Sequence, residues 1–370
     1  MKNFKCFSLF LIILLLFFIA GSFLGYWKGN ELFSYCKNLL IKKQETIFIS
    51  IVSYRDKNCP KTLEEIYNKA DHPERIFVGI YQQNGAYDLS CQTPNIDFKL
   101  QKNISLVKVP AEKARGPAVA RYHASLLFKD EDFFLEIDAH MRLVPHWDTL
   151  LLKMWHKLAE EKGPKVILTT CPLDWNVESD TIDPSHETHL PLSCGMDFSH
   201  EGELPRIASH VYKKTSVFHE SPFIAGGFFF APGKFLKEVP YDPNLAYLVW
   251  GEEALLSIRL WCKGYRFYNP TENLIFHYYE RLNEPKIWND DPNYQEINAK
   301  TSEHVKILIG FAPGKEDKNY PYGIDSQCVK EFYKTYKIDP INRTSVNLCD
   351  PEERVLETSS KDLSSNKDGT

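Results

Sequence analysis

The 370-residue sequence has no basic excess: Lys plus Arg is 44 and Asp plus Glu is 49, a formal charge of −5. A general nucleic-acid binder is usually basic, so that class loses its footing at once. No two cysteines are spaced C-x-x-C, which removes zinc knuckles and thioredoxin-like redox motifs. No H-E-x-x-H occurs, and His186 and His189 stand isolated in an irregular stretch, so a metallohydrolase built on the twelve histidines is disfavoured. Internal repeats are absent as well, which excludes a solenoid. Wholesale disorder is excluded by 43% hydrophobic and 25% charged residues. What is abundant is aromatic: 24 Phe and 19 Tyr suit a protein that stacks on rings or sugars, although packing alone would also use them.

At roughly 150 residues per domain, the length allows one large domain or two small ones. Cys6 to Trp27 is an uncharged run of 22 residues, flanked by Lys2, Lys5 and Lys28. About 20 apolar residues span a bilayer as a helix. The expected organisation is therefore a cytosolic tail over 1–5, a transmembrane signal anchor over 6–27 and a stem over 28–45. Tyr26 and Trp27 suit a membrane interface. A cleaved signal peptide, ending near Ala20, Gly21 and Ser22, is the alternative. Either route delivers the body to the secretory pathway; the anchor form would be type II, facing the ER or Golgi lumen. Sequons at Asn103-Ile104-Ser105 and Asn342-Arg343-Thr344 agree with that, and so do eight cysteines from Cys36 to Cys349, an even number as a disulfide set requires.

The folded body is expected over 46–357, with a disordered tail over 358–370. Ile47 to Val52 is an apolar, β-branched run that ends in polar Ser53-Tyr54-Arg55-Asp56. Helical patterns at 60–69, 118–128 and 147–161 alternate with strand patterns at 75–81, 104–109, 132–138 and 165–170. Such alternation implies an α/β fold with a mostly parallel sheet, whose ligands bind at the carboxyl ends of the strands. Residues 171–222 hold five histidines and little periodicity, and read as a loop-rich insertion beside the site. A helix is expected over 252–264 and a strand over 274–279.

The strand at 132–138 ends on a carboxylate within Glu136-Ile137-Asp138-Ala139-His140-Met141-Arg142. Alternate residues of an extended segment point the same way, so Asp138 and His140 can reach one ion. An oxygen with an imidazole suits Mn²⁺, and Zn²⁺ or Fe²⁺ would accept the pair too. The alternative is an Asp and a His exposed together by chance.

These residues resemble the metal-binding segment of a glycosyltransferase family: enzymes that transfer N-acetylglucosamine from UDP-GlcNAc to hydroxyproline on Skp1, or to threonine on mucin-like proteins of protists. The likeness runs from about Ile47 to Tyr279. It includes Ser53-Tyr54-Arg55-Asp56, Ala114-Arg115-Gly116-Pro117, Gly226 to Pro232 and Gly251-Glu252-Glu253. Residues Ser221 to Arg281 are more distantly similar to the polypeptide N-acetylgalactosaminyltransferases. The shared order is Gly226-Gly227, Asp242, Trp250-Gly251-Glu252-Glu253, Arg259-Leu260-Trp261 and His277. The resemblance implies a single-domain, GT-A-like mixed sheet of Rossmann type. It implies His277 as the third metal ligand beside Asp138 and His140, and transfer with retention. Known members include a cytosolic enzyme; the apolar head departs from that and favours a secreted Thr- or Ser-rich acceptor over a Skp1-like one.

The chemistry asks for a divalent cation where a nucleotide-sugar diphosphate breaks, because charge builds up on the leaving group. Arg115, Arg121 and Arg281 are candidates for the diphosphate or for carboxylates near it. Ser53, Tyr54, Arg55 and Asp56 would meet the nucleoside, with Gly116 beside them and Asp138 touching the ribose region. Gly226 and Gly227 would allow close approach to the sugar. Trp250, Glu252 and Glu253 would face the sugar or the acceptor hydroxyl; acidic residues at a helix start are also explained by the dipole alone. The expected partners are a UDP-sugar and a protein acceptor, with no nucleic acid. The donor stays open among GlcNAc, GalNAc, Gal and Glc, and a non-catalytic, lectin-like ectodomain is the reading from another class.

Overall fold

A computed structural model describes residues 44–198, 204–281, 283–314, 319–349 and 354–355. The expected tail, anchor and most of the stem (1–43) and the expected disordered tail (358–370) lie outside the described residues. No helix among the described residues is long and apolar enough to cross a membrane.

The first half alternates strands and helices in the expected order. β1 (Ile47–Tyr54) leads to α1 (Cys59–Asn68), β2 (Ile76–Asn84) and β3 (Ile104–Pro110); α2 (Pro117–Ser125) then delivers β4 (Phe133–Asp138). β1 pairs in parallel with both β2 and β4, and β2 with β3. The chain therefore moves outward from β1 to β3 and then crosses back to the other side of β1. That reversal opens a crevice at the carboxyl ends of β1 and β4, where open α/β sheets bind ligands.

β5 (Met141–Leu143) follows at once, then α3 (Trp147–Lys162) and β6 (Val166–Thr169). The stretch expected as irregular holds an antiparallel pair, β7 (His189–Asp197) with β8 (Arg206–Lys213), and a short β9 (Glu220–Ser221). Leu190, Leu192, Cys194 and Met196 do alternate along β7, but Pro191 and Gly195 between them disguise the strand. β10 (Phe228–Pro232) runs antiparallel between β4 and β6, so the sheet is mixed, with order β3-β2-β1-β4-β10-β6-β11-β9 once β11 (Arg266–Tyr268) is added. A short α4 (Phe235–Glu238) and α5 (Glu252–Cys262) precede β11, and β12 (Ile275–His277) pairs antiparallel with β5.

Strand alternation sorts the core. Ile47, Ile49, Ile51, Phe133, Leu135 and Ile137 pack on the α1 and α3 side with Leu63, Trp147 and Leu151. Phe48, Phe134 and Phe229 pack on the opposite side with Leu256 and Leu260. Glu136 and Asp138 continue the Phe134 row, so their carboxylates point to that second face.

After β12 the chain adds a short α6 (Ile287–Asp290), α7 (Tyr294–Leu308) and α8 (Ser326–Tyr336), for which the sequence reading made no provision. They build a separate cluster on α5, with Val305, Leu308, Val329 and Phe332 against Leu255 and Ile258. Disulfides join Cys59 to Cys91, Cys194 to Cys349 and Cys262 to Cys328. Six of the seven described cysteines are thus paired, and Cys171 has no disulfide partner among the described residues; Cys36, the eighth of the expected set, lies outside them.

Candidate functional site

β4 ends the sheet's parallel run on Asp138, and the chain turns through Ala139 and His140 into β5. The β5–β12 pairing sets His277 opposite Met141. Three side chains from distant positions converge: His277 Nε2 lies 3.1 Å from Asp138 Oδ2 and 2.9 Å from His140 Nε2. One donor atom from each of Asp138, His140 and His277 falls within 4.8 Å of the others. Three lone-pair donors crowd one point, an arrangement that a cation relieves.

The surroundings fix each donor. Asp56, at the end of β1, accepts from His140 Nδ1 at 2.8 Å, which leaves Nε2 unprotonated and facing His277. Thr62 on α1 uses one hydroxyl for Met141 N and for the carbonyls of Ala139 and Met141, pinning the turn. The Trp175 indole donates to the His140 carbonyl at 3.2 Å. Tyr279 lies against the His277 ring with centroids 4.1 Å apart.

Charge states follow from burial and neighbours. Burial lowers the His277 imidazole to about 4, so it is neutral at physiological pH. Burial alone would raise Asp138, but its neighbours His277, His140 and Arg121 outweigh it and hold Asp138 below the usual carboxylate range. Burial likewise works to raise Asp56; His140 and then Arg281 overcome it and hold it at about 2. The cluster therefore offers one carboxylate and one neutral imidazole, with a second imidazole oriented by Asp56, a donor set suited to Mn²⁺ or Zn²⁺.

Arg121, on α2, sits on the same face and is 9% exposed. Its guanidinium reaches Glu252 at 2.6 Å, Glu136 at 3.1 Å, the Gly226 carbonyl at 3.2 Å and Asp138 at 3.6 Å. Burial and proximity of these acids raise Glu136 and Glu252, with Arg121 opposing. Of the two roles expected for Arg121, its contacts in the fold are those to carboxylates. The glycine pair has a packing reason too: a Cβ at Gly226 would lie 2.8 Å from Arg121 Nη2, and one at Gly227 would lie 3.4 Å from Asp138 Oδ2. The Gly226 N–H donates to Glu253 at 2.6 Å. Glu252 and Glu253 open α5 but are held inward by these contacts.

The other expected residues are distributed around this centre. Ser53 is buried within β1. Tyr54 and Arg55 both reach Asp290, at 2.7 and 3.0 Å, and Arg55 also pairs with Asp88. Arg281 pairs with Asp56 at 3.1 Å, and Lys57 with Glu284 at 2.7 Å. Four consecutive residues after the body of β1 are thus fastened to the segment 281–290. Arg115 donates to the Tyr247 hydroxyl and to the Ala114 carbonyl. Gly116 has φ of 91°, and a Cβ there would meet the Tyr247 backbone at 2.8 Å, so its role is local geometry. Trp250 stacks under the Arg206 guanidinium at 3.7 Å. Thr62, Trp175, Tyr279 and Glu136 were not anticipated in the site; only Glu136 stood inside a recognised motif.

Comparison with known proteins agrees with this architecture. No curated protein shows significant sequence likeness to the chain. Among solved structures, GalNAc-T7 with UDP, GalNAc and Mn²⁺ superimposes with a TM-score of 0.50 at 16% identity, over 78% of this chain and 54% of that one. The chain therefore spans about half of that protein, and the likeness is one of fold. S. aureus TarS 1–349 in complex with UDP-GlcNAc gives a TM-score of 0.44 at 14% identity, over 78% of this chain and 71% of that one. A family model described as Glycosyltransferase (GlcNAc) matches residues 46–99 and 95–340. With that match covering most of the body, site included, the chain belongs to the GlcNAc glycosyltransferase family and is a transferase.

Proposed function

We propose that the enzyme transfers N-acetylglucosamine from UDP-GlcNAc to a hydroxyl of a protein, on threonine, serine or hydroxyproline, with retention at the anomeric carbon. The observation that carries the reading is the convergence of Asp138, His140 and His277 at the crevice between β1 and β4. These three would hold a divalent cation, Mn²⁺ being the expected one. When bound, the ion supplies positive charge for the leaving nucleoside diphosphate. The match to a structure holding UDP, GalNAc and Mn²⁺ supports the same class of donor and metal, and makes UDP-GalNAc the specific alternative donor.

The protein's own groups orient and exclude. Asp56 holds His140 in its ligating tautomer, and Arg121 offsets part of the negative charge that Glu136, Asp138 and Glu252 bring to one buried face. Glu252 and Glu253 are each bound to internal donors. That favours attack of the acceptor hydroxyl on the face the leaving group departs from, with the departing phosphate oxygen taking the hydroxyl proton, over a glycosyl-enzyme intermediate. A membrane-anchored, lumenal setting fits the apolar run over 6–27 and the three disulfides.

The test is UDP release from a panel of UDP-sugars with and without Mn²⁺, in the wild type and in Asp138→Ala. UDP-GlcNAc turnover that needs the metal and is lost in the variant is expected. Equal turnover in Asp138→Ala would refute the site, and an adduct trapped on Glu252 or Glu253 would refute the same-face route.

A further inference from the structure

A cavity of about 450 Å³ shares no lining residue with the Asp138 cluster. One wall is the α3 face carrying Leu150, Lys153, Met154 and Lys157. The other is the segment Lys214–Ser216, just past β8, with the turn at Thr271 and Glu272 between β11 and β12. Its volume falls in the range of small-molecule sites.

The lining is unlike the protein at large. A chain of net charge −5 brings three lysines and a single carboxylate, Glu272, to this one place. Lys153 and Lys157 are four apart on one helix face, a like-charge spacing that destabilises a helix unless something offsets it. Among the described residues none of the three lysines takes a carboxylate partner; Lys157 lies 5.4 Å over the Phe218 ring. Thr215, Ser216 and Thr271 add hydroxyls, which suit both a charged oxygen and a sugar, over an apolar floor of Leu150 and Met154.

We propose that this cavity is a second binding site, selective for a sugar-sized ligand that carries a tetrahedral oxyanion ester, a phosphate or a sulfate. The three ammonium groups receive the ester oxygens, and the hydroxyls and the apolar floor receive the ring. Such a site holds an anionic glycan or glycosylated segment at a place remote from the bond being made.

Calorimetric titration of the full chain tests this with glucose 6-phosphate, N-acetylglucosamine 6-sulfate and uncharged N-acetylglucosamine, at two salt concentrations. At least one charged sugar is expected to bind with a millimolar or tighter constant, more weakly at high salt, and at least tenfold more tightly than the uncharged one. Which ester binds identifies the source. The double substitution Lys153→Gln, Lys214→Gln should weaken that binding roughly tenfold while UDP affinity stays as in the wild type. Binding of neither ester below roughly 10 mM, unchanged binding in the double variant, or equal binding of the uncharged sugar overturns the proposal.

Discussion

Asp56→Asn separates two roles for one carboxylate. From its place after the first strand, Asp56 is expected to meet the nucleoside. In the fold it lies 2.8 Å from His140 Nδ1 and 3.1 Å from Arg281, and it is 3% exposed. The amide keeps the shape and removes the charge that selects the His140 tautomer. Loss of such a carboxylate–histidine contact costs about 10- to 100-fold in metal affinity, or roughly 1.4 to 2.7 kcal/mol. Stability should fall as well. The carboxyl is depressed from 3.8 to about 2, worth roughly 2 kcal/mol of folding free energy. Because the folded value is the lower one, that contribution is present above pH 3.8 and fades as pH falls toward 2, so the deficit is seen in full at neutral pH. Calorimetry with Mn²⁺ and with UDP on both proteins decides the matter. Weaker Mn²⁺ binding with little change for metal-free UDP is expected. Unchanged Mn²⁺ affinity with a large loss of UDP affinity would refute the positioning role and restore the nucleoside one.

Arg121→Met should lower the melting temperature by roughly 5 to 8 °C, because stranding buried carboxylates costs about 3 to 5 kcal/mol and a body of this size melts with an entropy near 2 cal/mol/K per residue. Scanning fluorimetry checks it, and a shift under about 2 °C would contradict the hub assigned to Arg121. Gly226→Ala, whose methyl would sit 2.8 Å from Arg121 Nη2, should cost about 1 to 3 kcal/mol in a denaturant titration; a neutral outcome would mean the guanidinium has room to retreat. In secretory expression, Asn342 should carry an N-glycan and Asn103 none, since Asn342 is exposed while the Asn103 amide is buried and donates to the Glu74 and Ile76 carbonyls. Intact-mass analysis of Asn342→Gln and Asn103→Gln reads this directly, and a glycan lost only in the Asn103 variant would contradict the burial.

Much of the first half is legible in the sequence, because short β-branched runs alternate with amphipathic helices and each element carries its own period. Asp138 and His140 are visible by their spacing at a strand end. His277, 137 residues past His140, was legible only through resemblance. The Asp56–His140 contact spans 84 positions and depends on β1 lying beside β4 with Val52 opposite Asp138, a register no local pattern encodes. Arg121 stands out in the sequence only by its charge, because the acids around it come from α5 and β4 and meet it once the faces of the sheet are sorted. The α7 and α8 helices are not legible from the strand–helix alternation because they pack on α5, not on the sheet that organises the rest.

The crosslinks carry a consequence for where this protein can be cut. The family likeness stops at residue 340, yet the last disulfide ends at Cys349. A version trimmed to the family boundary would leave Cys194 as a lone thiol in β7, with 1% of its surface exposed. Its neighbour Ser193 accepts from the Cys171 amide, and Pro191 accepts from the Thr170 hydroxyl, so the loosened strand borders the segment that leads to Trp175 and the His140 carbonyl. A body that keeps this crosslink therefore extends past the recognisable one, and the residues up to Cys349 act as a hem on the neighbouring strand.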